Sequence, residues 1–222
     1  MDPSLPTILQ NRAAAGRRLV EPLLQYAHRS DVIVLALPRG GVPVAYEVAT
    51  ALGVRLDLML VRKLGVPSHQ EFAMGAIASG GIQILNEQAL RAHPIDKAAF
   101  DAVVARESKE LLRREQAYRG NRAPLQLKDQ VVILVDDGLA TGASMMAAIQ
   151  AARVHAPSRI VVAVPVAPIE TAEALRSEVD ELVCPLMPDW MMSIGYWYMD
   201  FSQTTDREVV ELLQRAWGKE AS

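Results

Sequence analysis

The sequence predicts an α/β fold built on a doubly wound parallel sheet, and three observations carry that prediction. Residues 32–37, 131–135 and 160–166 are short runs rich in Val and Ile with no polar alternation, as strands are when helices cover both faces of a sheet. Segments with apolar residues at helical spacing lie around and between them, at residues 9–27, 43–52, 144–155 and 170–177; strands that alternate with helices give parallel sheets with right-handed crossovers. The middle run ends in two adjacent carboxylates and a loop of small residues before the next helix, at the edge where such sheets bind ligands.

The remaining elements follow in chain order. Residues 58–61 and 182–186 are weaker strand candidates of the same kind. Residues 74–85 hold Gly75, Gly80 and Gly81 between short β-prone pieces and read as a hairpin. Residues 95–118 form a long charged helix with Gly120 as its stop. Phe100, Val103, Val104, Leu111, Leu112 and Tyr118 make its apolar stripe, and Glu110 and Arg114, four apart, can pair on its surface. Its arginines Arg106, Arg113, Arg114 and Arg119 read as a solvated face. A last helix covers residues 206–217. With no repeat and no evident linker, one domain over residues 1–222 with insertions is the simplest organisation.

Composition bounds the function. Half of the 222 residues are hydrophobic, and 23 basic against 26 acidic residues leave a net charge of -3. That balance gives no reason to expect a nucleic-acid backbone or an anionic membrane as partner. Cys184 is the only cysteine, so no intrachain disulfide is expected, and its apolar neighbours suggest a buried small hydrophobe. The four histidines lack metal-ligand spacing. No apolar run approaches the ~20 residues of a membrane span. The first ten residues lack the charged segment and apolar core of a signal peptide. The cytoplasm is the expected compartment.

The chemistry concentrates in residues 131–144, where a buried strand runs into Asp136, Asp137, Gly138, Leu139, Ala140, Thr141, Gly142, Ala143 and Ser144. A helix N-terminus carries unpaired N–H groups and partial positive charge. Gly142 and its small neighbours let the backbone wrap a phosphate, and the hydroxyls of Thr141 and Ser144 add donors. Asp136 and Asp137 would repel that phosphate unless they face something else. Sugar hydroxyls, or a magnesium ion through water, are the natural partners. An Asp beside a turn often only caps a helix, but two in a row at a buried strand end are costly for capping alone.

This run resembles the PRPP-binding signature of type I phosphoribosyltransferases, in which two acids end a strand and a Thr-Gly-x-Thr/Ser loop binds the 5′-phosphate. It is neither a Walker loop nor a dinucleotide fingerprint. The resemblance implies a Rossmann-like phosphoribosyltransferase fold. It makes Asp136 and Asp137 the residues that hold the ribose 2′- and 3′-hydroxyls and, through water or ribose, Mg2+. Residues Ala140, Thr141, Gly142, Ala143 and Ser144 become the 5′-phosphate cradle. Ala140 stands where hypoxanthine-guanine enzymes carry an acid, so in this one respect the site is nearer the adenine or orotate type. Ala143 stands where glycine is common.

PRPP also carries a pyrophosphate. Leu37-Pro38-Arg39-Gly40-Gly41 follows the first strand and resembles the family's pyrophosphate loop, with Arg39 for charge and Gly40 and Gly41 freeing backbone N–H groups. A second strand is expected to end at Val61-Arg62-Lys63, with Lys63 reaching the pyrophosphate as in the family. Residues 64–86 match the family's flexible loop or hairpin over the active site, where closure excludes water; His69 and Glu71 are its polar candidates. Residues 186–205 match the hood that carries the base. Trp190, Tyr196, Trp197, Tyr198 and Phe201 cluster there, and Trp190 and Tyr196 are the candidates for stacking on a flat heterocycle. Pro-Arg-Gly-Gly, Glu-Phe-Ala-Met-Gly-Ala and Trp-Tyr-x-Asp-Phe together look closest to a bacterial subgroup whose base is unassigned. The family implies a homodimer, PRPP and a nitrogenous base as partners, and transfer of the 5-phosphoribosyl group. The same fold also serves non-catalytic regulators that sense PRPP or nucleotides.

Overall fold

The computed structural model of the protein describes residues 8–67, 69–92 and 95–220. In chain order its elements are α1 (Arg12–Leu23), β1 (Val32–Ala36), α2 (Gly41–Leu52), β2 (Arg55–Leu58), β3 (Val61–Val66), β4 (His69–Ala78), β5 (Ile82–Leu85), α3 (Glu87–Ala92), α4 (Lys97–Arg119), β6 (Val131–Val135), α5 (Ala143–Val154), β7 (Arg159–Ala163), α6 (Ile169–Arg176), β8 (Glu181–Val183) and α7 (Asp206–Glu220). Five strands form a parallel sheet in the order β2-β1-β6-β7-β8. The predicted doubly wound α/β fold is the fold.

Every residue of β1 and β6 is buried, which is why neither run alternates. Val32, Val34 and Ala36 face a cluster with Leu19 and Leu23 of α1, Val44 and Val48 of α2, and Val209 and Leu213 of α7. Ile33 and Leu35 face the opposite cluster with Met145 and Ile149 of α5 and Ala172 and Leu175 of α6. Register is regular across the centre, with Val32 opposite Val131 and Ala36 opposite Val135. The carboxyl ends of β1 and β6 are therefore level, and the loops that leave them are neighbours.

A second sheet of three antiparallel strands, β3-β4-β5, packs on α4 and α5. It contains the expected hairpin and corrects one expectation. The strand sought at residues 58–61 is two strands. β2 ends at Leu58, after which the Met59 N–H donates to Ala36 O, and by Leu60 the chain has joined the other sheet, where Leu60 O accepts from the Ser79 N–H. Lys63 is thus the third residue of β3, opposite Ala76 of β4, and not a carboxyl-end residue of the parallel sheet. β2 is hard to read because Asp57 sits buried inside it, paired with Arg119 of α4 at 2.8 Å.

That pair corrects a second expectation. Arg119 is buried, not solvated; it donates to both Asp57 oxygens and to Ala123 O. Arg106 and Arg113 are exposed and pair with Glu107 and Glu110, and the Glu110–Arg114 pair forms at 2.8 Å. In the apolar stripe, Val103, Leu111 and Tyr118 are buried while Leu112 is exposed. Cys184 is half-buried; its thiol lies 3.4 Å from Leu186 O, and burial pushes its pKa up to about 11, so it is not a reactive thiolate. No described helix is long and apolar enough to cross a membrane.

Candidate active site

The two predicted halves of the site meet at the carboxyl edge of β1 and β6. The Leu37 N–H donates to Val135 O at 2.9 Å, which ties the start of one loop to the end of the other strand. The next peptide, Pro38–Arg39, is cis. Gly40 and Gly41 then lie directly against the acidic pair. A Cβ on Gly40 would stand 2.0 Å from Asp137 Oδ2, and one on Gly41 would stand 2.7 Å from Val135 O and 2.9 Å from Asp136 Cα. Only glycine fits at either place, because the acids already occupy the side-chain space.

Asp136, with Leu37, Pro38, Met59, Leu60, Val61, Leu111, Arg114 and Ser144, lines a cavity of about 90 Å³. The pyrophosphate-type loop through Leu37 and Pro38, the acidic pair through Asp136 alone, the small-residue loop through Ser144 and the long helix through Leu111 and Arg114 all reach it. Arg114 is a contributor that the sequence pattern placed on the solvated face. It shares a helix face with Leu111 and Tyr118, three before and four after it, and that spacing could have shown its direction. Its guanidinium also pairs with Glu110.

The small-residue loop leads into α5 through a glycine. Gly142 caps α5 from the left-handed region at φ +71, a conformation that suits glycine. Ala140, Thr141, Ala143 and Ser144 around it are exposed. Ala140 is anchored by the Thr171 hydroxyl, which donates to its carbonyl at 2.9 Å. The Ala143 N–H donates to the Thr141 hydroxyl at 3.4 Å, and as at any helix start the first-turn N–H groups have no partner within the helix. Ser144 and Ala143 also border a larger pocket of about 630 Å³, shared with Lys63, Gly75, Ile84, Met146 and Gln150. Lys63 therefore lies on the α5 side of the site.

Arg39, next after Pro38, is half-buried, with a guanidinium nitrogen 3.4 Å from Asp206 at the start of α7. The Tyr118 hydroxyl donates to the same carboxylate at 2.7 Å and, ahead of the nearby Arg39 charge, holds Asp206 below the usual carboxylate range. Arg62 does not reach the site; its guanidinium is bound to Glu107 of α4.

The two acids differ in setting. Burial pushes Asp136 well above the ordinary carboxylate range, and the adjacent Asp137 charge pushes it further. Burial also raises Asp137, against the pull of Arg12. Arg12 Nε donates to Asp137 Oδ2 at 2.8 Å, and the Tyr198 hydroxyl donates to Asp137 O at 2.6 Å. Neither Arg12 nor Tyr198 was picked as a site residue from sequence. Arg12 opens α1 on the face of Ala15, Leu19 and Leu23, a periodicity that marks it as inward-facing.

The hood aromatics divide. Tyr198 and Phe201 pack inward around Leu9, whereas Trp190 and Tyr196 are 71% and 65% exposed. The side chains of His69 and Glu71 lie outside the described residues.

Among the described residues no group of three or more His, Cys, Asp or Glu could hold a metal. Magnesium does not need one: one or two carboxylates suffice when phosphates and water complete its shell. Asp136, a carboxylate in a cavity with its charged form disfavoured, fits that role.

Comparison with known proteins settles the family. The family model described as phosphoribosyl transferase domain matches residues 6–196. The chain belongs to the phosphoribosyl transferase family. Two Mycobacterium tuberculosis proteins (strains CDC 1551 and H37Rv), provisionally named phosphoribosyl transferases, are each 43% identical over 209 residues, or 94% of this chain. The chain spans about half, 47%, of their length. The crystal structure of TT1426 from Thermus thermophilus is 40% identical and superposes with a TM-score of 0.83, covering 94% of this chain and 98% of that one. The match takes in β1, β6, the loops that leave them and residues 186–196 of the segment before α7.

Proposed function

We propose that this chain transfers the 5-phosphoribosyl group from PRPP to a nitrogenous base and releases pyrophosphate. One observation carries the reading: Asp136 lines a single cavity with Leu37 and Pro38 of the pyrophosphate-type loop and Ser144 of the small-residue loop, while Gly40 of the same pyrophosphate-type loop lies against Asp137. A phosphoribosyl donor with anions at both ends of a sugar matches that arrangement better than a one-phosphate ligand.

In this reading the first turn of α5, with Ala140, Thr141, Gly142, Ala143 and Ser144, holds the 5′-phosphate. Arg39 and the N–H groups of Gly40 and Gly41 hold the pyrophosphate, Arg39 exchanging its contact with Asp206 for the ligand. Lys63 adds positive charge from the α5 side. The acidic pair serves the sugar end, Asp136 from the cavity wall and Asp137 from beneath Gly40. The C1′–O bond to pyrophosphate breaks with its electron pair leaving on oxygen, the acceptor nitrogen forms the bond to C1′, and the proton of that nitrogen passes to solvent. Fixed charge and position lower the barrier to the oxocarbenium-like transition state. Mg2+, when bound, neutralises the leaving pyrophosphate. Asp136 is the residue that would hold it. Trp190 and Tyr196, exposed on the hood, are the proposed stacking surface for the base. The reading also carries a homodimer, as the resemblance implies.

The test is calorimetry with PRPP, with and without Mg2+, followed by pyrophosphate release against a panel of free purine and pyrimidine bases. Magnesium-dependent binding and release with one base establish the transferase and name its acceptor. Binding without release for every base points instead to a PRPP sensor.

A further inference from the structure

We infer that the two acids of the site have different jobs, and that Arg12 sets the difference. Arg12 is a positioning residue that binds Asp137 away from the ligand, leaving Asp136 as the one carboxylate that meets the sugar hydroxyls and the cation. This rests on the PRPP reading above and refines it.

The geometry separates the pair. Asp136 lines the small cavity with Pro38, Arg114 and Ser144. The Asp137 carboxylate turns the other way and fills the space beneath Gly40. There it is held by Arg12 Nε at 2.8 Å, with both side chains almost fully buried, 12% and 10% exposed. The Asp137 carbonyl is taken by the Tyr198 hydroxyl at 2.6 Å, and its N–H donates to Asp136 Oδ1 at 2.8 Å. Side chain and backbone of Asp137 are thus committed inside the protein, and its N–H also orients the Asp136 carboxylate.

Arg12 is itself fixed from three directions. It is the first residue of α1, whose start is set by Asn11 Oδ1 accepting the Ala14 N–H at 2.9 Å. Its NH1 donates to Ser202 O at 2.6 Å, and its guanidinium lies 3.9 Å from the centre of the Phe201 ring. Phe201 in turn packs on Tyr198 at 4.9 Å between ring centres. The hood therefore reaches the acidic pair only through this cluster.

Electrostatics explains why such a clamp is useful. Two bare carboxylates side by side oppose a ligand that is anionic at both ends. With Asp137 paired to a fixed guanidinium, its charge is compensated inside the protein and Asp136 alone faces the hydroxyls and cation. A guanidinium is never deprotonated in the working range, so the compensation is permanent.

The experiment compares PRPP affinity, in Mg2+, of the parent chain with Asp136→Asn, Asp137→Asn, Arg12→Met and the double variant Arg12→Met/Asp137→Asn, each shown folded by thermal melting. Asp136→Asn is expected to lose about 100-fold, the loss of charged hydrogen bonds to ligand. Asp137→Asn, whose amide oxygen can still accept from Arg12, is expected to lose no more than about 5-fold. Arg12→Met leaves a buried carboxylate unpaired beside Asp136 and is expected to lose about 10-fold or more. The double variant, with neither charge, is expected to recover most of that loss. Recovery of affinity on deleting a second group is not what simple loosening of the hood would give. If Asp137→Asn loses as much as Asp136→Asn, or the double variant is no better than Arg12→Met, Asp137 meets the ligand directly and the inference is overturned. Should Arg12→Met not fold, the two Asn variants decide alone. A parent chain that does not bind PRPP overturns the reading, and the inference with it.

Discussion

The two sheets of this molecule use the same apolar residues to different ends. In the parallel sheet β1 and β6 are buried at every position and flanked by helices on both faces. In the antiparallel sheet β5 alternates between half-buried and exposed, and β3 begins with three residues that are not buried. The first sheet fixes the spacing of the two loops that leave β1 and β6, because these strands pair in level register. The second sheet is a wall that borders the α5 side of the site through Lys63, Gly75 and Ile84. Precision is concentrated where backbone and acids approach closely, at Gly40 and Gly41, and exposure beside the larger pocket.

The largest effect should come where the two regions are joined. Arg119→Met removes one partner of a buried ion pair between α4 and β2 and strands Asp57; it should cost about 3–5 kcal/mol. A melting temperature that hardly moves would mean the join is not structural. Next, Ile133→Ala in the middle of β6 should cost about 2–5 kcal/mol as a core truncation, whereas Ile84→Ala in β5, half-buried, should cost about 1 kcal/mol. Equal costs in denaturant titrations would erase the contrast between the sheets.

Gly40→Ala tests the close approach itself. Its Cβ would collide with Asp137 Oδ2, and displacing the loop by about 1 Å should lower pyrophosphate release about 100-fold. Full activity would show that the loop has slack.

The smallest effect belongs to the exposed face of α4. Hydrogen bonds from Arg113 and Arg114 push Glu110 down to about 2 from 4.5. A depressed carboxylate stabilises the fold above its ordinary pKa, and that contribution is lost as pH falls from about 4.5 toward 2. Solvent screening keeps it to about 0.3–0.5 kcal/mol. Glu110→Gln should therefore lower stability at neutral pH by that small amount and flatten the acid limb, the two proteins converging as pH falls toward 2.

The same contrast explains what could be read from sequence. β1, β6 and the residues from Asp136 to Ser144 were legible because a doubly covered strand and a phosphate-type loop have local signatures. The boundary between β2 and β3 was not. Asp57 breaks the apolar run of β2 and is tolerated only because Arg119, 62 residues later, pairs with it. Without that partner in view, the strand reads as beginning late and Lys63 falls on the wrong sheet. Arg12 was missed for a related reason: its partner Asp137 is 125 residues away, and only its place on the buried face of α1 hinted at it. Arg114 carried the same kind of hint in its spacing from Leu111 and Tyr118.

The measurement that bears most directly on the account is PRPP binding by the parent chain and by Asp136→Asn, in Mg2+, with melting curves on both. Burial raises Asp136 above its unfolded value, so as pH rises past the ordinary carboxylate range its charge weighs against the fold. The amide should raise the melting temperature at pH 7, by about 2–4 °C for each ~1 kcal/mol regained, while PRPP affinity falls about 100-fold. A variant that is more stable but no longer binds PRPP is the signature of a carboxylate kept for its ligand. Equal PRPP affinity in the two proteins, or none in either, would contradict the central claim that this cavity receives the phosphoribosyl donor.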